Sequence, residues 1–271
     1  MSPVASDEKN IQATYGEGNP AIRVATGSPG SLGLLKALAE PFCNVNHCQV
    51  QWIKKGSGAS LKALKEGAVD VVMVHAPEAE KKAVAEGWAT MRTLLGSNEF
   101  YIVGPASDLA GIVNAKTAPE AYTMIAKSKA GFFSRGDNSG THKKEMHIWK
   151  LAGIEPAGEW YVVTGDFMGP TLMQADKERG YFMTDSSTFF AKKSGIENLR
   201  VLFRGDPMLV NTYHALIASR EKYPQANYVL AAEFVKFVSS SEGQKVYRDY
   251  GKSQYGMPLY NDAAYAGTKR K

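Results

Sequence analysis

The chain has 271 residues and a formal net charge of +5, from 32 Lys and Arg against 27 Asp and Glu. That length suits one large domain or two lobes with a substantial core. An apolar fraction of 44% and a charged fraction of 22%, with no apolar run of membrane-spanning length, argue against both a disordered chain and a membrane-spanning one. The positive balance mildly favours anionic partners. The basic residues are scattered apart from Lys269-Arg270-Lys271, and nothing alternates aromatic with basic, so the chain does not read as a nucleic-acid binder.

Residues 1–20 read as a flexible leader, since Met1 to Asn10 is polar and lacks the apolar centre of a signal peptide. Structure is expected to begin with the strand Ile22 to Ala25, followed by Thr26-Gly27-Ser28-Pro29 and a helix over 31–42 carrying Leu32, Leu35, Leu38 and Phe42. Cys43 and Cys48 follow, with His47 between them. A short-loop disulfide in an oxidising compartment is expected; a reduced thiol pair is the alternative, and a metal site would need further ligands. Val50 to Ile53 is a second strand. It leads into Gly56-Ser57-Gly58 and a helix closed by Gly67, without the Gly-Lys-Ser/Thr ending of a P-loop. Val69 to Val74 is a continuous apolar strand ending at His75-Ala76-Pro77, with a helix over 78–86.

Phe100 to Val103 is a strand, and a helix is expected over 119–129. A strand over 131–133 then runs into Ser134-Arg135-Gly136-Asp137-Asn138-Ser139-Gly140-Thr141-His142-Lys143-Lys144-Glu145, with a helix over 141–151. Strands over 161–163, 181–184, 199–203 and 213–218, and helices over 170–177, 187–193, 225–238 and 242–249, complete the pattern. The alternation of strand and helix implies α/β architecture with mostly parallel sheets. Ligands in such folds sit at the carboxyl ends of strands, where the Gly/Ser/Thr loops fall.

The 134–145 stretch carries the chemistry. A helix N-terminus presents unpaired N–H groups and a partial positive charge. Glycine admits close approach, Ser139 and Thr141 add hydroxyls, and Arg135 adds a planar five-donor cation. Only Asp137 accepts strongly, so the stretch describes an anion site. A capped helix start with a surface Arg–Asp pair fits the same spacing. Thr26, Ser28 and Ser57 read equally as donors or as caps, and His75 as ligand or as structural hydrogen-bonder. Met168 and Thr184 are further candidates for lining a pocket.

Arg135 to Thr141, with Thr26-Gly27-Ser28, Gly56-Ser57-Gly58 and Val74 to Pro77, resembles the oxyanion-binding solute receptors of ABC importers, and within them the tungstate-binding branch. The resemblance covers residues 21–262, and the match over Ser134 to Glu145 is long and specific. The branch usually opens with three threonines and a serine after the first strand, a run reduced here to Thr26-Gly27-Ser28. The resemblance implies the two-lobed type II periplasmic binding protein fold. Lobe one would be 21–101 plus 209–262 and lobe two 102–208, joined by two crossing strands, with 263–271 a basic tail. It implies a tetrahedral oxyanion, tungstate or molybdate, clamped as the lobes close, with Arg135, Ser139, Gly140 and Thr141 facing Thr26, Ser28, Ser57, Gly58 and His75. It further implies a monomer outside the cytoplasm, with no cofactor and no resident metal, handing the anion to a membrane permease. A sulfate or phosphate receptor and an anion-sensing module are the alternatives. An enzyme would need a nucleophile–base pair, a carboxylate cluster or a metal helix, none of which the sequence offers.

Overall fold

A computed structural model describes residues 10–268. The chain divides into two compact units, one running to Ser97 and resuming at Thr212, the other spanning Asn98–Asn211. The expected boundaries, 101/102 and 208/209, fall a few residues away from these.

The first unit opens with β1 (Ile11–Tyr15), β2 (Ala21–Thr26), the single turn α1 (Ser28–Ser31), α2 (Leu34–Asn46), β3 (Gln49–Lys54), α3 (Ser57–Lys65), β4 (Val71–Val74) and α4 (Pro77–Ala85). β2 is the middle of a parallel trio. Val24 pairs in register with Trp52 of β3 and with Val71 of β4. β4 is buried at every position, as its uninterrupted apolar run requires. The helix expected over 31–42 is two pieces, because Gly33 adopts φ +88° and breaks α1 from α2. α2 then continues to Asn46 and stops at His47 in the left-handed region.

Part of the expected leader is structured. Ile11–Tyr15 pairs antiparallel with β3, Tyr15 opposite Val50. Its burial alternates with period two, and the polar residues around so short a strand hid the signal. Residues 1–9 lie outside the described residues.

β5 (Ala89–Pro105) starts in the first unit and ends in the second. The second unit continues with α5 (Ala118–Ser128), β6 (Phe132–Ser134), α6 (Gly140–Leu151), β7 (Tyr161–Val163), α7 (Met168–Glu178), β8 (Tyr181–Asp185), α8 (Ser186–Lys192) and β9 (Leu199–Phe203). β6 lies parallel to both β7 and β8, while the far half of β5 runs antiparallel to β8 and β9. The core here is aromatic. Trp149 packs against Tyr122 at 4.3 Å and edge-on to Phe132 at 5.1 Å between ring centroids, all three fully buried.

β10 (Val210–Ala218) returns the chain to the first unit, pairing antiparallel with β4, His214 opposite Val74. α9 (Tyr228–Ser239), α10 (Ser241–Asp249), α11 (Lys252–Tyr255), β11 (Asn261–Asp262) and α12 (Ala263–Thr268) complete it. The architecture is therefore α/β, with two strands, β5 and β10, passing between the units. The expected tail is helical as far as Thr268, started by Asp262 accepting from Tyr265 N at 2.9 Å; Lys269-Arg270-Lys271 lies outside the described residues. No described helix is long and apolar enough to cross a membrane.

The expected disulfide is absent. Cys43 and Cys48 are free thiols with their sulfurs 3.2 Å apart, against the ~2.05 Å of a covalent bridge. Both are buried, and burial pushes the Cys43 thiol up to about 12, with the Cys48 contact adding to it. That suppresses the thiolate on which oxidation depends.

Candidate oxyanion-binding loops

In the second unit, β6 delivers the chain at Ser134 and α6 takes it up at Gly140. The bend between them needs Gly136. Its φ is +62°, and a Cβ there would fall 2.2 Å from Val163 Cγ1. Ser139 is the N-cap of α6, its hydroxyl accepting from His142 N at 3.3 Å. Its own N–H donates to Asp137 Oδ1 at 3.1 Å.

Arg135 is only 4% exposed. Its Nη2 donates to Asp137 Oδ2 at 2.5 Å, its Nε donates to the Asp166 carbonyl at 3.2 Å, and Phe167 lies under the guanidinium at 5.9 Å. The charge is held in a fixed orientation by an acceptor on each of two sides. The expected Arg135–Asp137 pair is present, and it is buried on the arginine side.

Thr141 occupies the first turn of α6 and is fully buried, yet its Oγ1 has no hydrogen-bond partner. Buried hydroxyls are almost always paired, so this one marks a missing partner. His142, in the first turn of α6, does not place a cation against the helix dipole. Its Nδ1 accepts from Asn138 N at 3.0 Å, and burial lowers its pKa, against Asp137 and with Arg135. The ring is neutral.

Two further features support this loop and were not assigned from sequence. Thr164 N and Gly165 N donate to the carbonyls of Ser134 and Arg135, each at 2.9 Å. Glu145, at 1% exposed, receives the Tyr161 hydroxyl at 2.6 Å. Glu145 closes the twelve-residue stretch four positions after Thr141, so the helical period alone places the two on one face. Met168 is buried in the first turn of α7, and the Thr184 hydroxyl is turned to the Asp185 carbonyl at 3.2 Å.

In the first unit, the candidates lie at the carboxyl ends of β2, β3 and β4. Ser57 is buried in the first turn of α3, whose Gly56 N-cap supplies no side-chain bond. Ser57 Oγ accepts from His75 N at 3.2 Å, which leaves the hydroxyl its own proton to donate. Gly58 follows in the same turn. The His75 ring lies 5.1 Å from that of Tyr213. Thr26 departs from its expected role as a hydroxyl donor, because its Oγ1 donates to Met73 O at 2.8 Å and ties β2 to β4. Ser28 is the first residue of the short α1 and half-buried.

A triad at the 75–77 turn, buried at Glu80 and His214, was also not legible. Glu80 Oε1 receives Ala76 N at 2.7 Å, and its Oε2 lies 2.9 Å from both Arg92 Nη2 and His214 Nδ1. This fixes the 75–77 turn to β5 and β10. Among the described residues, no group of three or more His, Cys, Asp or Glu side chains could hold a metal ion.

The donor-rich chemistry of these loops agrees with the comparisons. The model of the PBP superfamily domain matches residues 12–242. The tungstate-binding protein TupA of Peptoclostridium acidaminophilum is 32% identical over 261 residues, 96% of this chain and 91% of its own length. The solved structure of the tungstate ABC transporter from Geobacter sulfurreducens is 41% identical, covers 86% of this chain and all of its own, and has a TM-score of 0.78. That of the tungstate binding protein TupA from Desulfovibrio alaskensis is 38% identical, covers 90% of this chain and 99% of its own, and has a TM-score of 0.74. With its family match running across both units, this chain belongs to the PBP superfamily.

Proposed function

We propose that the chain is a solute receptor that binds a tetrahedral oxyanion dianion, tungstate or molybdate, and hands it to the membrane permease of an ABC importer outside the cytoplasm. The observation that carries this reading is the fully buried, unpartnered hydroxyl of Thr141 in the first turn of α6. It stands near the buried Arg135 and the first-turn N–H groups of Gly140 and Thr141, where an oxyanion is the natural acceptor. The tungstate proteins similar to this chain give the reading its ligand class. Ser139 and Gly140 on this loop, and Ser57, Gly58, His75 and Ser28 on the first unit, are the proposed further contributors. Thr26 contributes through its place in the backbone, its hydroxyl being taken.

The same chemistry selects against phosphate. Near neutral pH much phosphate carries a proton that needs an acceptor. Asp137 is committed on both oxygens, to Arg135 and to Ser139 N, and the residue that follows β4 is His75 rather than a carboxylate. A buried phosphate hydroxyl without a partner costs roughly 1–3 kcal/mol. Tungstate and molybdate are pure acceptors at that pH. Calorimetry at pH 7.5 with tungstate, molybdate, sulfate and phosphate tests the reading. Both metallates should bind more tightly than the other two, as a monomer complex and without turnover of aryl phosphates or sulfates. Phosphate binding as tightly as tungstate would sink it.

A further inference from the structure

Glu145 lies on α6 one turn beyond Thr141 and is 1% exposed. Among the described residues, no lysine or arginine forms an ion pair with it. It receives the Tyr161 hydroxyl at 2.6 Å, and the neighbouring Ser134 side chain also favours its charged form. Ser134 Oγ in turn accepts from Gly136 N at 3.2 Å, within the loop that carries Arg135. Ser134 thus stands between the carboxyl and the proposed anion loop.

The titratable groups that act on it are neutral or negative, and the nearest cation of the loop, Arg135, is paired with Asp137. Tyr122 faces it from α5, Tyr161 from β7 and Asp137 from the preceding loop. β6 contributes no titratable group. On β8, Tyr181 donates to Asp108 and Asp185 is held by Asn98 and Thr188. Along α6 itself, the neutral His142 accepts from Asn138 N and Lys144 reaches away to the Met208 carbonyl.

We propose that Glu145 takes up a proton when a dianion binds at the N-terminal end of α6, so that oxyanion capture is coupled to proton capture. The inference rests on the oxyanion reading above. A dianion at the first turn adds two negative charges about one helical pitch, ~5 Å along the axis, from a carboxyl that has no counter-charge. In a buried setting such repulsion favours the neutral acid. Burial already holds Glu145 up at about 7, opposed by the hydrogen bond from Tyr161 and by the Ser134 and Trp149 side chains. Both protonation states are therefore populated near neutrality, and there is a vacancy for the proton to fill. By linkage, the proton strengthens anion binding by the same factor that the anion strengthens proton binding.

Titration calorimetry of the full chain with sodium tungstate and sodium molybdate, at pH 7.5 in buffers of different ionisation enthalpy, counts the protons. The natural chain should take up roughly half to one proton per anion. Glu145→Gln should bind the metallates with uptake near zero and an affinity flat from pH 7 to 8.5. Tyr161→Phe removes the donor that favours the charged form, so its uptake should shift to higher pH; this variant carries the test if Glu145→Gln does not fold. Binding by the natural chain without proton uptake, or uptake undiminished in Glu145→Gln, overturns the proposal alone. No binding of either metallate overturns the oxyanion reading and this inference with it.

Discussion

At the scale of single residues, the proposed site separates affinity from stability. Thr141→Val removes a hydroxyl that has no partner in the protein. Its loss should weaken metallate binding tenfold or more, since a hydrogen bond to a charged group is worth roughly 1.5–3 kcal/mol. The unliganded protein should melt no lower than the natural one, because only an unsatisfied polar group has gone. A variant that binds normally but melts lower would place the hydroxyl in the fold rather than the site. Arg135→Ala should cost at least as much affinity, whereas Lys55→Ala, on a half-exposed side chain, should cost well under 1 kcal/mol. Equal losses in calorimetry would point to diffuse charge. Glu145 makes a different statement. Burial raises its pKa to about 7 from the usual 4.5, so its contribution to stability is full below pH 4.5 and is lost as pH rises through 7. Glu145→Gln should therefore gain on the natural chain between pH 5 and 8, by up to roughly 3 kcal/mol, in urea unfolding. A difference that does not change with pH would mean the carboxyl stays ionised. The donors of 134–141 were legible because residue type and helix start fix them locally. The commitment of Thr26 to Met73, and the pairing of Glu145 with Tyr161, depend on strand register and packing, which residue type does not encode.

Among the elements, helices with a clear apolar stripe were read to within a few residues, as with α5 and α6. β5 was not. Only Phe100 to Val103 carried a strand pattern, while the observed strand runs Ala89–Pro105 through Met91 at positive φ and a polar Ser97-Asn98-Glu99. Asn98 belongs to a buried network that only the fold reveals. Asn211 Nδ2 donates to Asn98 Oδ1 at 2.7 Å, and Asn98 Nδ2 donates to Ser187 Oγ at 2.8 Å and to Asp185 Oδ1 at 3.2 Å. Asp185 caps α8 through Thr188 N at 2.8 Å. One carboxylate thus starts a helix and joins β5 to β10. Asp185→Ala should lose the cap and one of the two acceptors of the Asn98 amide, at roughly 2–4 kcal/mol in total. Urea unfolding should show a lower midpoint with an unchanged slope; a loss under 1 kcal/mol would make the network incidental.

For the whole molecule, a receptor that binds its anion only when folded is stabilised by that anion. At a thousandfold excess over Kd the gain is ~4 kcal/mol, on the order of 10 °C for a chain of this size. Thermal melts with tungstate and molybdate should show it, and melts with phosphate should not. The division into two units was foreshadowed by the resemblance; the alternation of strand and helix speaks only for α/β. The units also differ in how they are written along the chain. The second is one unbroken stretch, Asn98–Asn211, whereas the first is split, with β4 waiting for β10 to close its sheet. On a ribosome the second unit is complete while the first still lacks its last strands and helices. Sequence-distant pairings form slowly, and domains tend to fold as they emerge. Nascent chains stalled once residue 211 has cleared the exit tunnel should therefore hold a protease-resistant core made of the second unit alone. The opening strands β1 to β4 should remain cleavable until α9 and α10 have followed β10 out.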